Sequence, residues 1–144
     1  LAREGRRGAS GKVSVLRFDE DNRADAAYGL IASRAFLWWW RVTGDLFHLP
    51  LRALTTAPFP LHLADPEAID TLTAGGRALW ERARRNPVRS TNRGVALTAY
   101  TPPPTSDALD AVDRAVVRAF HLPVEFVRFV QQDAERLADA GRSA

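Results

Sequence analysis

The sequence predicts a helix-dominated α+β fold with about four main helices and two short strands. Three observations lead there. Most of the 144-residue chain repeats its apolar residues at helical spacing, and 46% hydrophobic content is enough for one domain with a core. Proline and glycine divide these stretches into segments of ordinary helix length. Only two stretches alternate as strands do, and strands that short do not make a stable sheet alone. They are expected either to join a sheet completed elsewhere or to lie as a small hairpin on the helices.

Taken in order, residues 1–11 are basic and Gly-rich and read as a flexible lead-in; residues 12–144 read as one domain. Lys12 to Phe18 alternates and is β-rich, which predicts the first strand. Ala24 to Val42 reads as one helix, because Ala27, Leu30, Ile31, Ala35, Trp38 and Val42 fall at helical spacing. Phe36, Leu37, Trp39 and Trp40 fill much of its remaining surface. A helix apolar nearly all round belongs in the interior, so this one is expected to be the structural centre. Gly44 stops it. Pro50, Pro58 and Pro60 keep the following stretch loop-like, with room for a short helical turn from Leu49 to Leu54.

Asp65 is a good N-cap, Pro66 suits the first helical position and Glu67 complements the helix dipole. Ile69, Leu72, Gly76, Leu79, Trp80 and Ala83 give that helix one apolar stripe, and Pro87 ends it. Arg84 to Arg93 reads as a polar, basic loop. Gly94 to Tyr100 is the second expected strand, closed by Pro102 to Pro104. A C-terminal helical pair is expected over about 107–140, with His121 to Pro123 as its turn.

The chain has no Cys, which excludes disulfides and thiolate metal sites. No apolar run approaches the roughly 20 residues of a membrane span, and no signal-peptide pattern opens the chain. Met is absent even from position 1, so the chain is expected to be part of a larger protein. Its basic residues are 19 Arg and one Lys, Lys12. A GC-rich genome explains that ratio, although Arg is also the better side chain for forked contacts to phosphate and guanine.

The net charge of +3 is mild, but it is unevenly spread. Leu1 to Arg17 has net +4. Arg77 to Arg93 sets six Arg against Glu81, net +5, while Asp107 to Asp139 has net −3. Two local basic blocks are what a phosphate-binding face requires.

Motifs for chemistry are missing. Gly75 and Gly76 lie inside a helix pattern with no preceding strand, so they are not a nucleotide loop. His48, His62 and His121 are scattered. Ser33, Ser90 and Ser106 sit in no nucleophile elbow. Asn86-Pro87-Val88 partly matches the Asn-Pro-Pro-Tyr signature of adenine methyltransferases, but it lacks the second proline and the aromatic ring that stacks on a flipped base.

A resemblance sharpens this reading. Ser33, the aromatic run Phe36 to Trp40, Asp45, His48 and the pair Phe59–Pro60 follow one another as in large adenine-specific DNA methyltransferases. Those enzymes belong to type IIG restriction–modification systems and related phage-defence methylases. The segment Leu109 to Asp113, then Phe120 to Leu122, then Glu125–Phe126, is similar to the closing helices of that family. The match covers about 100 of the 144 residues in order.

The resemblance implies a C-terminal target-recognition region, non-catalytic, taken from a parent enzyme that uses S-adenosylmethionine. Its implied partners are double-stranded DNA and the catalytic domain of the same protein, in a bacterial cytoplasm and away from membranes. The alternative is a helical interaction domain that packs against a neighbouring domain or subunit and does not touch DNA.

The DNA-contact candidates are Arg82, Arg84, Arg85, Asn86, Arg89, Asn92 and Arg93, with Ser90 and Thr91 as further short hydrogen-bonding side chains beside them. The helix dipole alone explains arginines at a helix C-terminus, but not Arg89 and Arg93. Asp45 and His48 are candidate loop anchors, set against a simple hydrogen bond shaping the turn. Trp38 to Trp40 and Trp80 are expected in the core rather than stacked on bases, and Asp113 is expected to be an anchoring carboxylate. Arg6, Arg7 and Lys12 either add to the DNA contacts or belong to a basic disordered tail. No catalytic or metal residue is assigned.

Overall fold

A computed structural model describes residues 16–44, 49–92, 95–101 and 106–142. The described chain is helix-dominated, with one two-stranded antiparallel sheet. The helices are α1 (Asp21–Ala32), α2 (Arg34–Thr43), α3 (Leu51–Thr56), α4 (Pro66–Arg85), α5 (Asp107–Ala119) and α6 (Glu125–Arg142). Strands β1 (Val88–Asn92) and β2 (Val95–Ala99) form a hairpin between α4 and α5. There are thus six helices rather than four; the extra ones are the short α3 and a division of the expected Ala24–Val42 helix.

That division falls at Ser33. Its ψ of 151° leaves the helical region, and its side chain replaces the broken ladder. Ser33 Oγ donates to the Leu30 carbonyl at 2.6 Å and accepts from the Phe36 amide at 3.1 Å, so one buried hydroxyl ends α1 and caps α2. No glycine or proline marks the place. The second support comes from α5, where Asp113 accepts a hydrogen bond from the Arg34 amide at 2.9 Å. A carboxylate at a helix N-terminus also meets the positive end of the dipole.

The centre of the molecule is α4 with α5, not α2. Leu72, Leu79, Val112 and Val116 are fully buried, and Leu30, Phe36, Phe59 and Leu109 close around them. In α2 only Arg34, Ala35 and Phe36 are buried. Three consecutive Trp are about 100° apart on a helix, so they spread around the rod instead of sharing an inner face. Trp38, Trp39 and Trp40 are half-buried, and Val42 is 65% exposed.

Gly75 and Gly76 make α4 central. A Cβ on Gly76 would lie 2.0 Å from the Asp25 carbonyl oxygen of α1, and one on Gly75 would lie 2.5 Å from a Val112 methyl of α5. A Cβ on Gly29 of α1 would lie 2.8 Å from the Leu72 carbonyl oxygen of α4. Glycine costs a helix about 1 kcal/mol relative to alanine; here it lets two helices approach one turn of a third.

The helix starts read from sequence hold for α4 and α5. Asp65 accepts from the Ala68 amide at 2.9 Å with Pro66 behind it, and Ser106 accepts from Leu109 at 3.2 Å. After α5, His121 takes a positive φ of 51°. Its amide donates to Arg118 and that of Leu122 donates to Val117, the two bonds of a Schellman turn with histidine at the usual glycine position.

The two expected strands fare differently. The second, near Gly94 to Tyr100, is β2. For the first, Lys12 to Val15 lie outside the described residues, and Leu16 to Phe18 are irregular. The partner of β2 is instead Val88 to Asn92, within the segment expected to be a basic loop. Pairing with β2 supplies the order that its own polar sequence does not announce.

Candidate nucleic-acid interface

The sequence candidates fall on one continuous structure, the end of α4 and the hairpin that follows it. Arg82, Arg84 and Arg85 occupy the last turn of α4 and are exposed on either side of the buried Ala83. Asn86 ends the helix. Its amide donates to the Ala83 carbonyl, and its side-chain nitrogen donates to the Arg82 carbonyl at 3.4 Å. Arg89 lies in β1 and is exposed. Asn92 closes β1 opposite Val95. Arg93, Asp45 and His48 lie outside the described residues.

The register adds what sequence reasoning missed. Arg89 stands opposite Thr98 and Thr91 opposite Ala96. Cross-strand partners share a face and side chains alternate along each strand, so Arg89, Thr91, Ala96 and Thr98 form one surface. Thr98 was not among the sequence candidates, and Thr91 was named only as a short polar neighbour of the arginines. Placing both on the Arg89 face needs the β1–β2 register, and β1 has no strand pattern of its own to align.

The electrostatics are simple. From Arg82 to Ser106 the chain has five Arg and no acidic residue. Arg85 reaches Glu81 at 3.5 Å, an exposed i,i+4 pair of small energetic weight. Arg82, Arg84 and Arg89 have no ion-pair partner among the described residues. Arg77, one end of the same basic block, is taken by Asp25 at 2.8 Å and does not belong to the free set. The C-terminus of α4 carries the negative end of its dipole, so any anion held there is held by side chains and not by the helix.

Trp80 joins this region to the body. Its ring lies 5.6 Å from Tyr28 on α1 and 5.4 Å from Tyr100, just past β2. Burial pushes the Tyr28 phenol up from its ordinary pKa, and its hydroxyl is buried without a hydrogen-bond partner among the described residues.

The anchoring role expected of Asp113 is borne by a buried cluster on the far side of α5. Arg34 Nη1 donates to Asp110 and to Asp113, both at 2.7 Å, and Asp113 is fully buried. Burial opposes the Arg34 charge, but the hydrogen bonds and charges of Asp110 and Asp113 outweigh it and leave the pKa above its ordinary value. Burial raises the Asp113 pKa against the opposing bonds from Arg34. Gln131 donates to Asp110 at 3.2 Å, and Arg41 pairs with Asp133, so α6 joins the same network.

A shallow cleft of about 260 Å³ opens where α2 meets α3, lined in part by Trp39, Trp40, Thr43 and Arg52. The Trp40 indole N–H is buried there against Gly44, without an acceptor among the described residues. Among the described residues no group of three His, Asp or Glu is placed to hold a metal, and no helix is long and apolar enough to cross a membrane. Comparison with protein-family models, curated proteins and solved structures finds no match to this chain.

Proposed function

We propose that the chain is a DNA-recognition module: the non-catalytic part of a restriction–modification adenine methyltransferase whose S-adenosylmethionine chemistry belongs to a separate catalytic domain. One observation carries the reading of DNA. Four exposed arginines, three of them unpaired among the described residues, sit together on a stretch with no acidic residue. Unpaired arginines at a surface are free to displace the counterions of a polyanion, and double-stranded DNA presents one charge per roughly 1.7 Å of its axis. The resemblance of Ser33 to His48 and Leu109 to Phe126 to the methyltransferase family supplies the parent enzyme.

The experiment is anisotropy with a mixed-sequence duplex at several salt concentrations. Affinity is expected to fall linearly with the logarithm of salt, with a slope of about −0.9 per phosphate neutralised. Arg84→Ala and Arg85→Ala should each lower that slope by about one unit. Arg128, exposed on the acidic helix α6, is the control and should leave it unchanged. Binding that is absent, or independent of all these arginines, sinks the reading.

A competing reading has its own observation. Leu37 and Phe129 are 39% and 46% exposed beside Trp38, whose ring meets Phe126 at 5.3 Å and Phe129 at 5.6 Å. This apolar patch on α2 and α6 suits a neighbouring domain or subunit. If the arginine variants bind DNA as the parent does while Phe129→Asp abolishes association with the catalytic domain, the packing reading replaces ours.

A further inference from the structure

The hairpin lacks a helical floor. Every strand residue whose side chain is described is exposed, on both faces. A two-stranded pair of this kind is marginal in water, so it gains more than most elements from docking into something. It leaves the body directly from α4, and the tilted contact of the Trp80 and Tyr100 rings fixes its root.

Its dimensions and chemistry select the kind of surface. Five residues rise about 17 Å, and a major groove about 12 Å wide and 8.5 Å deep admits a two-stranded ribbon. On the Arg89–Thr98 face, a guanidinium fork matches the two acceptors of a guanine edge, and threonine hydroxyls pair with either donors or acceptors. At the root stand Arg82, Arg84 and Arg85, where the phosphate backbone flanking an entered groove passes. A protein strand added to the ribbon edge would use backbone pairing, and only an acidic strand would also engage five arginines without an acid.

We infer that the β1–β2 hairpin enters the major groove of double-stranded DNA, with Arg89, Thr91 and Thr98 facing base edges while Arg82, Arg84 and Arg85 hold the phosphates. The inference rests on the DNA-recognition reading and adds the element that reads sequence. It divides the arginines by role. Arg89 sets site preference, and the root arginines set affinity and salt dependence.

The test is selection from a pool of randomised duplexes by the 144-residue chain, followed by binding to the enriched duplex and to its 7-deazaguanine analogue, which lacks the major-groove N7 acceptor. The parent chain should enrich a motif containing guanine and bind the analogue about tenfold more weakly, the cost of one lost base contact. Arg89→Ala should erase both the preference at one position and the difference between the two duplexes. Arg84→Ala should keep both and reduce the salt slope. Exposed positions are substituted throughout, and unchanged helical circular dichroism shows that the body remains folded.

Salt-dependent binding without an enriched motif, or a motif that Arg89→Ala leaves intact, overturns groove reading and leaves the DNA-binding reading standing. No binding to any duplex overturns both. Hairpin-dependent binding to a protein partner, with no duplex bound, makes the ribbon a protein-docking edge instead.

Discussion

Two arginine settings in this molecule are opposites. Arg34 is 9% exposed and clasped by Asp110 and Asp113; Arg82, Arg84 and Arg89 are exposed and, among the described residues, unpaired. The first kind is internally satisfied. Its geometry fixes where α2 begins and which helix it meets, and it has little left to offer a ligand. The second kind contributes almost nothing to the fold, which leaves its full hydrogen-bonding capacity for something outside. Arginine abundance alone, as read from composition, does not separate them; burial and partners do.

The contrast can be broken most forcefully at Asp113. Asp113→Ala takes from the buried Arg34 the acceptor of its amide and one of its two carboxylate partners, leaving Asp110, and should cost up to about 3–5 kcal/mol in urea unfolding. Arg84→Ala or Arg85→Ala should stay within about 0.5 kcal/mol. Equal effects would abolish the distinction between the two settings. Because burial raises the Asp113 pKa, this carboxyl favours the fold most when protonated: its contribution is complete below the ordinary carboxylate pKa and declines as pH rises through the raised one. Asp113→Asn, uncharged but still an acceptor for the Arg34 amide, should therefore be milder than Asp113→Ala. Acid unfolding should not be driven by this residue.

A smaller effect is expected at the glycine pair. Gly76→Ala puts a methyl group against the Asp25 backbone, which cannot step aside, and should cost about 1–3 kcal/mol. Gly75→Ala meets only a Val112 methyl, and the midpoint of thermal unfolding should drop less. The reverse order would mean that α5, not α1, is the tighter neighbour.

The smallest effect is at Tyr28, a buried polar group with no partner among the described residues, unlike Asp113. Tyr28→Phe removes an unsatisfied hydroxyl and should leave neutral stability unchanged or slightly raised. The raised phenol pKa gives a stability term that is present below the ordinary pKa of 10.0 and lost as pH rises through the folded value. Unfolding monitored at alkaline pH should therefore fall less steeply for Tyr28→Phe than for the parent. An identical alkaline profile would show that burial does not shift the Tyr28 phenol.

What was legible in the sequence was whatever is specified locally. Asp65, Pro66 and Pro87 set both ends of α4 because a cap and a missing amide act within one turn. The arginine block was legible for the same reason, since charge is additive along a chain. The break at Ser33 was not, because half of its support comes from Asp113 on another helix. Nor was β1, a polar segment whose strand character exists only in register with β2. The division of the hairpin into faces, and with it the place of Thr91 and Thr98, follows from that register and could not precede it. Trp38 was expected inside because its neighbours are apolar, but a run of three tryptophans exceeds the inward arc of one helix.

The burial of Ala83, 1% exposed between Arg82 and Arg84, has a consequence for ligand capture. The body grips α4 to within two residues of its last arginine. The Cα atoms of the basic cluster therefore share the rigidity of the core, and a bound polyanion orders only side-chain torsions. That loss is about 0.5–1.5 kcal/mol per side chain, without the further penalty of freezing a loop. Seen this way, Ala83 is a tether: it holds the cluster in its receiving position before any ligand arrives.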